Sequence, residues 1–261
     1  MPDAPNVMTR PSRPAPAPSP SAAALRPWTV LFLTLLAVLS LAFEGATAAA
    51  PAQRVSFKTD DGVTVAATWY EPPTRPAPAV VYVHMLQKSQ ADWEGFAAQA
   101  AAEGIGGLTI DLRGHGDTPG SNQDFAGMVK DVRAARQFLS ARSDVTPGRV
   151  AIAGASIGAT LAAQAAADDP SVASLALLSP ALDYRGLRLD GAVKKFGARP
   201  VLLVASDDDG YAVRSVRDLE KAGGGIREAA ILSRAGHGTA MLSRDSDLSR
   251  RLLEWFRRTL L

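Results

Sequence analysis

Cysteine is absent from all 261 residues, which excludes disulfides, lipid attachment through a thioether and any cysteine-ligated zinc. Histidine is almost as scarce. Only His84, His115 and His237 occur, far apart and outside any His-Glu-x-x-His run, so no metal is expected. The chain also lacks a charge excess: 28 Lys and Arg stand against 26 Asp and Glu, and the bases are scattered. Nucleic-acid binding is therefore not expected, because phosphate contacts need clustered cations.

Long apolar runs are missing except between Trp28 and Phe43. At 16 residues that run is long for a signal-peptide core and short for a bilayer-spanning helix of about 20. Met1 to Pro27 before it is rich in Pro, Ala and Ser and has too few large apolar residues to pack. After it come Ala46-Thr47-Ala48 and Ala48-Ala49-Ala50, small-x-small patterns that signal peptidase accepts. The reading is an exported protein, periplasmic or extracellular, cleaved near Ala48 or Ala50. The alternative is an uncleaved signal anchor through residues 28–43, which would be its only membrane contact. No Arg-Arg pair precedes the run, which argues against twin-arginine export. Residues 1–50 are thus set apart as a leader, and 51–261 form one domain large enough for a single core.

Within that domain, short apolar runs alternate with helical periods. Arg54 to Lys58 and Val63 to Tyr70 flank Asp60-Asp61-Gly62, a hairpin signal. Ala79 to Val83, Gly107 to Leu112, Val150 to Ala153, Leu175 to Leu178 and Val201 to Ala205 read as strands buried on both faces. Phe125, Met128, Val129, Val132, Phe138 and Leu139 share one helical face, as do Leu248, Leu252, Trp255 and Phe256. The expected fold is α/β: a mostly parallel central sheet with helices on both faces, entered by an N-terminal antiparallel hairpin. Gly104-Ile105-Gly106-Gly107 leads into a strand instead of opening a helix, so it is no dinucleotide fingerprint, and no cofactor is expected.

Gly154-Ala155-Ser156-Ile157-Gly158 joins the apolar run ending at Ala153 to a small-residue helix through Thr160 to Ala167. A serine held in so tight a strand-to-helix turn needs glycines two residues either side, and it stands at the positive end of a helix dipole. His237 is the one histidine that follows it, as the order serine, acid, histidine requires.

With these motifs the chain resembles the α/β-hydrolase superfamily over Arg54 to Leu261. Val81-Tyr82-Val83-His84-Met85-Leu86 is similar to the strand whose His-Gly-x end supplies half of the oxyanion hole, with Met85 where glycine is commoner. Asp111-Leu112-Arg113-Gly114-His115-Gly116-Asp117 resembles the loop after the next strand, which gives His115 a loop-shaping role. Pro200 to Asp209 resembles the strand and turn bearing the acid, and Ala235-Gly236-His237-Gly238 the loop bearing the histidine. The resemblance implies Ser156 as nucleophile, His237 as base and Asp209 as acid, with Asp208 second and the other aspartates solvated turn residues. It implies backbone oxyanion donors at Ile157 and at Leu86 or Met85. His84 is read as a loop hydrogen-bonder, and Tyr184, Tyr211 and Trp93 as packing residues before pocket residues.

About twenty residues, Pro180 to Ala198, separate two strands where many relatives carry a lid domain, so an open site taking small esters is expected. The likeness is to small carboxylesterases and dienelactone-hydrolase-like enzymes, although dienelactone hydrolases proper carry the cysteine that is lacking here. The substrate expected is a small-molecule ester. A peptidase, an acyltransferase or a binding protein with a retired site share the pattern, and oligomeric state is left open.

Overall fold

The computed structural model of the protein describes residues 52–261. The readings made for residues 1–50, including the apolar run 28–43 and cleavage near Ala48 or Ala50, lie outside the described residues. The strands are β1 Gln53–Lys58, β2 Thr64–Tyr70, β3 Ala77–Val83, β4 Gly106–Ile110, β5 Val145–Ala155, β6 Val172–Leu178, β7 Asp183–Tyr184, β8 Leu187–Arg188, β9 Val201–Ser206 and β10 Arg227–Leu232. The helices are α1 Ala91–Ala102, α2 Phe125–Ser140, α3 Ile157–Ala166, α4 Leu189–Phe196, α5 Gly210–Leu219, α6 Met241–Arg244 and α7 Leu248–Leu260, with a 3-10 turn at Gly238–Ala240.

Eight strands make one sheet in the order β1-β2-β4-β3-β5-β6-β9-β10. The entry hairpin β1–β2 is antiparallel, β2 joins β4 antiparallel, and every later pairing is parallel. The apolar runs become central strands because their alternate side chains feed two cores. Val81 and Val83 enter one core with Met128, Leu161, Val193 and Val216 from α2, α3, α4 and α5. Val80 and Tyr82 enter the other, with Phe96 from α1 and Trp255 from α7. Each large apolar side chain so buried stabilises the fold by roughly 1.5–3 kcal/mol.

This topology opens the crevice that carries the site. Neighbouring strands β3 and β5 meet with Val83 opposite Gly154, yet β3 leads into α1 on one face and β5 into α3 on the other. Their following loops diverge, leaving a gap at the carboxyl edge of the sheet.

Three features escape the sequence reading. Helix α1 is alanine-rich, so Trp93 and Phe96 are the only large side chains on a buried face otherwise made of Ala97, Ala100 and Ala101, and its period is faint. Edge strand β10, Arg-Glu-Ala-Ala-Ile-Leu, has no clean alternation and is defined by its parallel register on β9, with Ala230 opposite Val204. The segment between β6 and β9 is not a bare link. It folds as the β7–β8 hairpin followed by α4, whose Leu189, Val193 and Phe196 join the first core. No helix among the described residues is long and apolar enough to cross a membrane.

Candidate active site

One residue, Ser156, separates β5 from α3. Its backbone sits at φ 55°, ψ −120°, a conformation that costs a non-glycine residue on the order of 1–3 kcal/mol. A Cβ on Gly154 would strike the Gly158 carbonyl, and one on Gly158 would strike the carbonyl oxygens of Val83 and His84. The glycines are therefore needed for close approach, pressing the turn against the end of β3. Ser156 N donates to Leu178 O at 2.8 Å, which ties the turn to β6.

The histidine loop is held residue by residue. Positive φ at Arg234, Gly236 and Gly238 makes it irregular, so its N–H groups must find side-chain acceptors. Arg234 N donates to Asp207 Oδ1 at 2.6 Å, Ala235 N to Ser206 Oγ at 2.7 Å, and Gly236 N to Asp208 Oδ1 at 3.1 Å. Gly238 N donates to Ser179 Oγ at 2.8 Å, and Thr239 Oγ1 donates to Asp92 Oδ2 at 2.8 Å. Between them His237 Nδ1 lies 2.6 Å from Asp209 Oδ2, while Asp209 Oδ1 accepts from Ala212 N and caps α5.

That arrangement separates the three aspartates and corrects one expectation. Asp207 and Asp208 are exposed, but they are not merely solvated turn residues, since each accepts a backbone N–H of the histidine loop. Asp209 alone reaches the ring. Its carboxylate accepts from Nδ1–H, which leaves Nε2 as the acceptor of the neutral imidazole. The His237 side chain is 52% exposed. Neither His237 Nε2 nor Ser156 Oγ has a hydrogen-bond partner among the described residues.

His84 fixes the opposite wall. Its Nε2 accepts from Leu112 N at 3.0 Å, so Nδ1 carries the proton and donates to Met85 O at 2.6 Å. With the Met85 carbonyl drawn to His84, the Leu86 N–H of the same planar peptide points the other way. The Ile157 N–H belongs to the first turn of α3, where no intrahelical partner exists. His115 is buried, its Nδ1 facing Arg113 O at 3.1 Å.

Burial lowers His84 to about 4, so unfolding lets it take up a proton between that value and about 6.5. The stability this neutral histidine contributes is complete above about pH 6.5 and is lost as pH falls to about 4, on the order of 3 kcal/mol. Urea unfolding at pH 7 and pH 5 should show about 2 kcal/mol of that drop, and His84→Gln should flatten it. An equal pH dependence in the variant would refute the assignment.

Met85, which stands where glycine is commoner, packs its sulfur where a Cβ of Gly238 would lie. It also lines a cleft of about 500 Å³ with Phe96, Thr239 and Leu242. A second cleft of about 490 Å³ is lined by Asp208, Asp209, His237 and Arg244. Together they flank the histidine loop. Trp93 is a packing residue, fully buried with Nε1 donating to Val83 O at 3.1 Å. Tyr184 stacks edge-on to Phe125 at 5.4 Å, and Tyr211 is exposed. Ser179, Ser206 and Asp92 were not legible as site residues; the one clue is that each serine sits at the end of an apolar run.

Comparison with known proteins agrees with this fold. The model of the family described as serine aminopeptidase, S33, matches residues 74–218, more than half of the chain, and ends before His237. The uncharacterized protein Rv2307c of Mycobacterium tuberculosis (strain ATCC 25618 / H37Rv) is 36% identical over 138 residues, covering 52% of this chain and 48% of that protein. The polyketide transferase ATR5 of Stachybotrys chlorohalonatus is 31% identical over 137 residues, 50% of this chain and 45% of that one. The chain thus spans about half the length of the curated relatives it matches. A dienelactone hydrolase structure from Anabaena variabilis superposes with TM-score 0.70 at 19% identity, covering 81% of this chain and 99% of that one.

Proposed function

The chain belongs to the α/β-hydrolase superfamily, in the family described as serine aminopeptidase, S33, and from that membership we propose that it is an exported serine hydrolase cleaving small carboxylic esters. The observation that carries the reading is the strained Ser156 turn joined through the end of β6 to a loop whose His237 is paired with Asp209.

In this reading Ser156 Oγ attacks the ester carbonyl while His237 Nε2 takes its proton, and Asp209 holds the imidazole in the required tautomer and balances the imidazolium. The N–H groups of Ile157 and Leu86 receive the oxyanion, each such donor contributing on the order of 3 kcal/mol. Collapse expels the alcohol, which leaves with the proton from His237. Water, deprotonated by the same imidazole, then attacks the acyl-enzyme, releasing the acid and restoring Ser156.

The exposed imidazole and the absence of a separate lid domain between β6 and β9 support an open site for small substrates. An acyltransferase is the second reading, favoured by the similarity to a polyketide transferase. Added alcohol acceptors would divert the acyl group from water if it holds. Export through the leader is part of the proposal, and the N-terminal sequence of the mature protein tests it.

The direct test is labelling with a fluorophosphonate and mapping of the modified peptide. Label at Ser156 that is lost in Ser156→Ala and in His237→Ala is expected. A folded wild type that takes no label refutes the hydrolase reading.

A further inference from the structure

We propose that Ser179 is a positioning residue for His237, acting through Gly238 and coupling the histidine loop to the Ser156 turn. The inference rests on the reading of His237 as general base.

Ser179 follows β6, is 2% exposed, and holds φ 46°. That left-handed conformation disfavours a residue with a Cβ and persists only where surrounding contacts over-determine it. Here two contacts do so. Ser179 N donates to Val204 O at 2.7 Å, anchoring the residue to β9, and its Oγ accepts from Gly238 N at 2.8 Å.

Gly238 needs such an anchor. It lies at φ 59°, and Met85 fills the space that a side chain of its own would use. Ser206, Asp207 and Asp208 hold the backbone on the N-terminal side of His237. On the C-terminal side the hydroxyl of Ser179 holds the next N–H, Thr239 is tied through its side chain to Asp92, and the 3-10 turn adds Ala240 N donating to His237 O at 3.3 Å. The preceding residue, Leu178, accepts the Ser156 N–H. Two hydrogen bonds and one peptide unit therefore connect nucleophile turn and histidine loop, so a shift at Ser179 changes the distance between Nε2 and Oγ.

A misplacement near 1 Å costs about 100-fold in rate. Ser179→Ala deletes the acceptor and keeps the strain, whereas Ser179→Gly deletes the acceptor and relieves the strain. Both variants are expected to lose about 10- to 100-fold in kcat on a p-nitrophenyl ester, with KM within about twofold of wild type. Ser179→Gly should melt at or above Ser179→Ala, separating position from stability.

Two measurements read the same claim without turnover. Hydrogen exchange of the Gly238 amide should accelerate in both variants, and the downfield proton resonance of His237 Nδ1–H should shift or broaden. Wild-type kcat in Ser179→Gly with unchanged Gly238 exchange overturns the proposal. If the wild type neither hydrolyses esters nor takes fluorophosphonate, the hydrolase reading fails, while exchange and the imidazole resonance still decide whether Ser179 holds the loop.

Discussion

Ser156→Ala is expected to reduce kcat/KM for a short p-nitrophenyl ester by on the order of 10⁵-fold while leaving the circular dichroism spectrum unchanged. Alanine supplies no nucleophile, and under the proposed mechanism any residual rate would come from binding and the proposed oxyanion donors. His237→Ala should cost about as much, and the double variant scarcely more, because a nucleophile without its base works as poorly as no nucleophile. Asp209→Asn is expected to retain the loop but present the wrong imidazole tautomer, at a cost of about 10⁴-fold. The Asp209 carboxylate that faces His237 also caps α5 through Ala212 N, so a melting curve must accompany that variant. Turnover retained in a correctly folded Ser156→Ala protein would remove Ser156 from the mechanism altogether.

The largest effect on stability is expected at Arg113, in the loop after β4. All five N–H groups of its guanidinium are engaged. Nε and Nη2 donate to Asp131, Nη1 and Nη2 to Asp61, and Nη1 also to Asp124, at 2.7–3.1 Å. Arg113 N adds a bond to Asp131 Oδ2 at 2.9 Å. The hub joins the β1–β2 turn to the N-terminus of α2 and to the interior of that helix. Arg113 first, then Thr59, holds the Asp61 carboxyl well below the usual carboxylate range.

The Asp131 side chain is 0% exposed and that of Arg113 4%. Arg113→Met therefore strands a buried carboxylate, and a loss of about 3–5 kcal/mol in urea unfolding is expected. Pairing it with Asp131→Leu should recover much of that loss, because the stranded charge rather than the missing bridge carries the penalty. A single variant within about 0.5 kcal/mol of wild type would mean that the hub adds nothing to stability.

Local pattern accounts for most of what could be read before folding. A short apolar run such as Ala79 to Val83 reads as a strand buried on both faces, and Asp60-Asp61-Gly62 closes a hairpin between its neighbours. Gly154 to Gly158 announces a tight turn because the steric demand is met within five residues, and the serine in it is named at once. What needed the tertiary structure are contacts between distant segments: Asp209 against His237 across 28 residues, Ser179 against Gly238 across 59, Arg113 against Asp61 across 52. Three consecutive aspartates have the same propensity and charge, so sequence neighbours cannot rank them. The parallel register of β10 on β9 and the course of the loop above it give each a different partner. Propensity and periodicity act over a turn or a strand, whereas a hydrogen bond between loops is decided by strand order, and strand order exists only once the whole sheet has formed.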